Sequence, residues 1–205
     1  MSVKAVLEKL SPQKVIGPSP AFTVFDALKM LETIAESGPI GRSSLSKRLE
    51  LGEGTTRTLL MRLKKARLLT ISRRGCALTE KGKEVWIQFT TLIPATLRIE
   101  DNELTLAVHS MVALVKNQAL KVNKGIEQRD AAVRVGASGA TTLIFHNGRL
   151  ILPTVSEDVS KDYPRAFSQI MQLLKPMEND VVIMSCGAIF RAAEYGVLAA
   201  SWTLL

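Results

Sequence analysis

The chain has little of what small catalytic and metal centres are usually built from. It holds two cysteines, Cys76 and Cys186, and two histidines, His109 and His146. The cysteines form no CxxC pair and have no histidine beside them, which argues against a structural zinc site or a disulfide framework and for a reducing cytoplasm. The histidines are separated in sequence, and each reads as a core or hairpin residue rather than a metal ligand or base. There is no phosphate-binding G-x-x-x-x-G-K loop and no G-x-G-x-x-G after a strand. No nucleophile, base and orienting group can be assembled from the rest. Neither an enzyme activity nor a cofactor or metal is therefore expected. No apolar run is long enough to span a bilayer, and MSVKAVLEKLSPQK mixes charges instead of forming the apolar core of a signal peptide.

What the chain does have is unevenly placed charge. Apolar content of 46% and charged content of 22% describe an ordinary globular protein, yet the formal net charge is +8. Residues 1–98 carry 17 Lys/Arg against 8 Asp/Glu, a net of +9, whereas residues 99–205 carry 10 against 11, a net of −1. Across residues 42–83 there are 12 basic side chains and 3 acids. Uniform basicity could serve solubility or a membrane surface. This asymmetry points instead to a polyanion-binding module joined to a neutral partner.

Pro12, Gly17, Pro18 and Pro20 mark residues 1–20 as an arm. Val24, Ala27, Leu28, Leu31 and Ile34 then share one helical face, and Gly38-Pro39 stops that helix. Ser43 or Ser44 can cap a second helix carrying Leu45 and Leu49, ended by Gly52 and Gly54. A third helix is predicted over residues 55–67. Two short strands, 68–72 and 76–78, surround Arg73-Arg74-Gly75, and Thr79 caps a helix that runs towards Pro94.

Three helices followed by a two-stranded hairpin resemble the winged helix-turn-helix. The resemblance rests on Leu45, Leu49, Leu59, Leu60 and Leu63, the turn Leu51-Gly52-Glu53-Gly54 and the tip Arg73-Arg74-Gly75. It implies that the third helix enters the major groove of DNA. With its leucines inward, Arg57, Thr58, Met61 and Lys65 face outward and Arg62 lies at the border. Base contacts are assigned to Thr55, Arg57, Thr58 and Arg62. Phosphate contacts are assigned to Lys64, Lys65, Arg73 and Arg74, with Ser43 of the second helix added to the set. Arg67 stands where such domains often carry glycine, and a left-handed turn is less comfortable there.

Residues 95–205 read as a second domain after a winged domain of residues 21–94. Strands at 104–115, 141–145, 149–152 and 181–184 alternate with helices at 125–135 and 164–174, and a helix from 187 closes the chain. His146-Asn147-Gly148 is a hairpin signal. The order β-α-β-β-α-β-α fits a ferredoxin-like sandwich with one added helix, so the whole chain is α+β. Two readings compete for Gly136-Ala137-Ser138-Gly139 and its flanks. One is an anion or metabolite pocket formed by Arg129, Asp130, Arg134, Ser138, Gly139, Thr141 and Thr142. The other is a tight helix-to-strand connection. Ser185-Cys186-Gly187 is either a second anion site, with Gly187 at a helix N-terminus, or a small turn with a buried thiol. The apolar end, residues 198–205 with Trp202, must pack against the sheet or a second subunit.

The winged module, the run IEQRDAAVRVGASGATTLIF and the closing VVIMSCGAIFRAAEYGVLAASWTLL together resemble an archaeal family of winged-helix proteins with an uncharacterised C-terminal domain. The resemblance covers nearly the whole chain and implies a transcriptional regulator, with no ligand attached to it. The expectation is a cytoplasmic regulator that binds double-stranded DNA as a homodimer and senses a small-molecule effector. An RNA- or protein-binding winged adaptor and an enzyme with a DNA-binding appendage are the alternatives.

Overall fold

The structure, a computed structural model, describes residues 2–10 and 22–205. The chain divides into two compact units, Met1–Phe89 and Thr90–Leu205, and is α+β, with a helical N-terminal region followed by a sheet domain.

The N-terminal unit opens with a helix where the sequence suggested only an arm. This α1 (Val3–Glu8) is capped by Ser2 and buries Val3, Val6 and Leu7, packing on α2 (Val24–Ser37). Six residues do not make a stable helix alone, so the apolar stripe holds α1 through tertiary contact. Pro12, Gly17, Pro18 and Pro20 lie outside the described residues. A capping box starts α2: Thr23 Oγ1 accepts the Asp26 N–H while Asp26 Oδ2 accepts the Thr23 N–H at 2.6 Å. Next come α3 (Arg42–Arg48) and α4 (Glu53–Lys65). Neither serine caps α3 as expected; its N-cap is Gly41, with no side-chain bond, and Ser43 and Ser44 lie in the first turn. Leu45, Leu59, Leu60 and Leu63 are buried together with Met30, Leu31 and Ile34. An antiparallel hairpin follows, β1 (Leu69–Ser72) and β2 (Gly75–Leu78). Ile40 pairs with Cys76 through both backbone bonds, so the segment before α3 lies along the hairpin. Thr79 caps α5 (Glu80–Leu92) by accepting the Gly82 N–H at 3.0 Å. A Cβ on Gly82 would fall 1.9 Å from the Leu68 carbonyl oxygen, so only glycine lets the hairpin and α5 approach.

The C-terminal unit is built on a five-stranded antiparallel sheet. Its strands are β3 (Ala95–Arg98), β4 (His109–Val115), β5 (Gly139–His146), β6 (Arg149–Ile151) and β7 (Val181–Gly187), in the spatial order β3-β4-β7-β5-β6. The helices are α6 (Ile126–Arg134), the short α7 (Val159–Asp162), α8 (Pro164–Leu174) and α9 (Phe190–Trp202). One face of the sheet packs α9 and α6. On the other, Val112, Leu114, Leu143, Val182 and Met184 meet Ala166, Ile170 and Leu174 of α8. Alternate residues of the same strands thus feed two cores.

This order corrects the ferredoxin-like expectation. In that sandwich the third strand lies between the first and second; here the fourth, β7, takes that place, and β6 moves to the edge. All seven residues of β7 are buried, which requires covered faces and a neighbour on each side. Three-residue β6, ahead of Pro153, can only serve an edge. The strand expected from Leu104 begins at His109. Residues 99–108 form a loop instead, in which the buried Asn102 donates to the Glu100 carbonyl and to Gln169 Oε1 and accepts the Leu104 N–H. Asn147 (φ 50°) and Gly148 (φ 71°) form the anticipated hairpin turn. The apolar C-terminus is buried within its own unit, against the sheet and α6. No helix among the described residues is long and apolar enough to cross a membrane.

Candidate nucleic-acid interface

Four arginines converge on one groove of the N-terminal unit. Arg42 begins α3, Arg57 stands on α4, and Arg73 and Arg74 form the tip of the β1–β2 hairpin; together with Ser43, Met61 and Ile71 they line about 440 Å³ of open space. The pairing of Ile40 with Cys76 sets this geometry, because it ties the start of α3 to the hairpin. Gly75, at φ 121°, makes the approach possible: a Cβ there would lie 2.8 Å from the Ile40 backbone. Among the described residues, no carboxylate is ion-paired with any of the four arginines. Their charges are uncompensated and exposed. Apolar Met61 (54% exposed) and Ile71 (41%) stand between them. Cys76 forms part of the floor, and burial pushes its thiol above the ordinary cysteine value, which suits a packed thiol and not a nucleophile.

The expected contact residues separate into three groups. Ser43, Arg57, Arg73 and Arg74 line the groove. Thr58, Lys64 and Lys65 are exposed and Thr55 half-buried, but none of them lines it. The Thr58 hydroxyl is turned onto its own helix, donating to the Gly54 carbonyl at 3.0 Å. Arg62 is the correction. Its Nη1 donates to the Leu10 carbonyl at 2.7 Å, and its guanidinium lies 5.0 Å from the Phe22 ring centroid. Expected at the border of the helix face as a base contact, it instead ties the N-terminal segment to α4. Arg42, Met61 and Ile71 are additions. Arg42 was visible as a base directly before Ser43, but its neighbours come from the hairpin, which sequence spacing does not reveal.

The second set of expected site residues is divided among α6, the connection after it and β5. Arg129 and Asp130 pair with each other at 2.9 Å on the surface, and Arg134 is exposed at the end of α6. Gly136 to Gly139 make the tight connection into β5, with the Ser138 N–H donating to the Cys186 carbonyl. Thr141 and Thr142 point to opposite faces of β5, as neighbours in a strand must; Thr142 is buried against Gly125, its hydroxyl without a partner. Gly187 ends β7 and does not begin a helix. A Cβ there would sit 2.8 Å from the Ala193 nitrogen, so α9 packs directly on this end of β7. The strand continues through Ser185, Cys186 and Gly187, so neither the helix start nor the turn expected there is present, while Cys186 is buried as expected.

Residues 23–84 match the family model described as PH0730-like, N-terminal domain. Residues 106–204 match the model described as Domain of unknown function (DUF4443). Among solved structures, the hypothetical protein PH0730 from Pyrococcus horikoshii OT3 is 27% identical, with a TM-score of 0.70 over 89% of this chain and 92% of that one. The chain is thus similar, over most of its length, to an archaeal protein. RV1404 from Mycobacterium tuberculosis is 23% identical with a TM-score of 0.32, over 43% of this chain and 59% of that one, too slight a likeness to carry argument. No curated protein matches. None of these descriptions names an activity.

Proposed function

We propose that the chain is a DNA-binding transcriptional regulator. In this reading the N-terminal unit is a winged helix-turn-helix, with α4 in the major groove and the β1–β2 hairpin as its wing. The C-terminal unit dimerises and senses a small molecule. The observation that carries the reading is the groove of Arg42, Arg57, Arg73 and Arg74, uncompensated by acids. A DNA major groove about 12 Å wide accepts a helix of α4's diameter, and a helix that enters it places flanking cations against the phosphates. Arg57 is the base-reading candidate. Arg42, Arg73 and Arg74 are placed to neutralise backbone phosphates.

The test is selection of bound fragments from a random duplex pool, followed by salt titration of the enriched sequence. Arg57→Ala should cost about 1–3 kcal/mol on that sequence and relax its preference. Arg73→Ala with Arg74→Ala should weaken every duplex alike and flatten the slope of log K against log salt by about 0.9 per arginine. Arg62→Ala should leave the sequence preference unchanged. If no sequence is enriched and single-stranded RNA binds as tightly, the basic groove serves RNA and the regulator reading is wrong.

A further inference from the structure

A second cavity, of about 550 Å³, opens in the C-terminal unit where β3 ends and β4 begins. Arg98 and Glu100 stand on one side, Gln169 and Leu173 of α8 on another, and His109 and Phe190 close the end. Phe190 organises the site. The Arg98 guanidinium carbon lies 3.9 Å from its ring centroid, and the His109 ring meets it edge-on, centroids 6.5 Å apart. A guanidinium stacked through its face keeps its N–H edges available for a carboxylate. Glu100 follows two residues later, and in extended chain such residues share a side. Arg98 and Glu100 line the same cleft, yet among the described residues neither is in an ion pair.

Two opposite charges that line one cleft without an ion pair favour a particular ligand chemistry. A simple carboxylate would meet Glu100 with repulsion, and a simple amine would meet Arg98 in the same way. A molecule carrying both charged groups on one carbon satisfies both. The rest of the wall is mixed: Gln169, Gln172 and Ser110 are polar, while Val108 and Leu173 offer exposed apolar surface, and the volume falls within the range of about 300–1,000 Å³ usual for small-molecule sites. We propose that this cleft binds a zwitterionic α-amino acid with a large apolar side chain: carboxylate on Arg98, ammonium on Glu100, side chain towards Leu173 and Val108. Gln169 adds donors, since its Oε1 already accepts from Asn102 at 2.8 Å. The regulator reading gives this unit a sensory role without a ligand. The proposal deepens that role and rests on the reading for the meaning of the binding, not for the binding itself.

The experiment is calorimetry on the full chain with L-phenylalanine and L-leucine as probes. Each is compared with its des-amino acid (3-phenylpropanoate, 4-methylpentanoate) and its decarboxylated amine (2-phenylethylamine, 3-methylbutylamine). At least one amino acid should bind, and its two analogues should each bind about tenfold more weakly or worse. Arg98→Leu and Glu100→Gln should each bring a comparable loss; both side chains are exposed, and far-ultraviolet circular dichroism checks that each variant is folded. The proposal is overturned if neither amino acid binds below about 10 mM, if an analogue binds as tightly as its parent, or if both folded variants bind as the natural chain does. Duplex binding is measured separately on the same protein, so a failed DNA reading and a failed ligand reading are told apart.

Discussion

Two residues of the N-terminal unit hold backbone conformations that their side chains disfavour. Glu50 (φ 51°) and Arg67 (φ 60°) are both left-handed. Each sits one residue past a helix C-cap (Leu49 and Ala66), and the bonding around each is the same. The Leu51 N–H reaches the Ser46 carbonyl and the Glu50 N–H that of Lys47; the Leu68 N–H reaches the Leu63 carbonyl and the Arg67 N–H that of Lys64. These are Schellman endings in which glycine is the unstrained choice. The sequence signalled the discomfort at Arg67, and the helix pays it, because Leu68 must turn into the core at once. A left-handed non-glycine residue costs about 1–2 kcal/mol, while glycine's extra freedom in the unfolded chain returns about 0.4–1 kcal/mol of that. Arg67→Gly should therefore raise unfolding stability by roughly 0.5–1 kcal/mol, read as a higher urea midpoint at unchanged slope. An unchanged or lower midpoint would mean that the exposed Arg67 side chain contributes more than its backbone loses.

Helix α8 shows how one element depends on a residue far away in sequence. Its N-cap, Tyr163, makes no side-chain bond. Glu103 supplies the cap instead, its two carboxylate oxygens accepting the Arg165 N–H at 3.0 Å and the Ala166 N–H at 2.9 Å. Partial desolvation alone would raise the Glu103 pKa; the backbone bonds and the Arg165 charge outweigh it, and the net shift is downward. A carboxyl whose folded pKa lies below its unfolded value contributes stability in full above the unfolded value. It loses that contribution as pH falls through the folded pKa. Glu103→Gln should accordingly narrow the gap in stability between neutral and acid pH, its urea midpoint lying below that of the natural chain at pH 7 and converging with it in acid. An equal difference at both values would show that the effect is not electrostatic. The same dependence on distant partners explains what the sequence left hidden. Thr23 and Asp26, Thr79 and Gly82, and Asn147-Gly148 lie within a few positions of one another, so the start of α2, the α5 cap and the hairpin turn were legible, whereas α1 was not. Ser185, Cys186 and Gly187 look like a turn until Ser110 and His109 are known to pair with them and prolong β7. The strand order and the junction of Arg42 with the hairpin are likewise set by pairings across long stretches of chain, and periodicity carries no record of those.

At the scale of the whole molecule, charge and specificity pull on different units. In the proposed regulator, the net of +9 over residues 1–98 would supply affinity for any duplex, because counterion release does not read sequence. One recognition helix reads only a few base pairs, too few to select a site from a genome, so a regulator of this build needs a second half-site and a second copy. The apolar C-terminal end does not supply that contact, since it is already covered by its own sheet and α6; the proposed pairing would use another surface. If the proposed regulator is a dimer, the full chain should bind an inverted repeat about a hundredfold or more tightly than residues 1–94 alone bind it, through avidity with no new base contact. Its salt slope on the repeat should be about twice that of the fragment on a single half-site, because twice as many phosphates are neutralised. Sedimentation of the labelled duplex with each protein gives the stoichiometry, and a salt titration gives the slope. Equal slopes with one copy per duplex would sink the dimer and return all sequence reading to α4 and its hairpin.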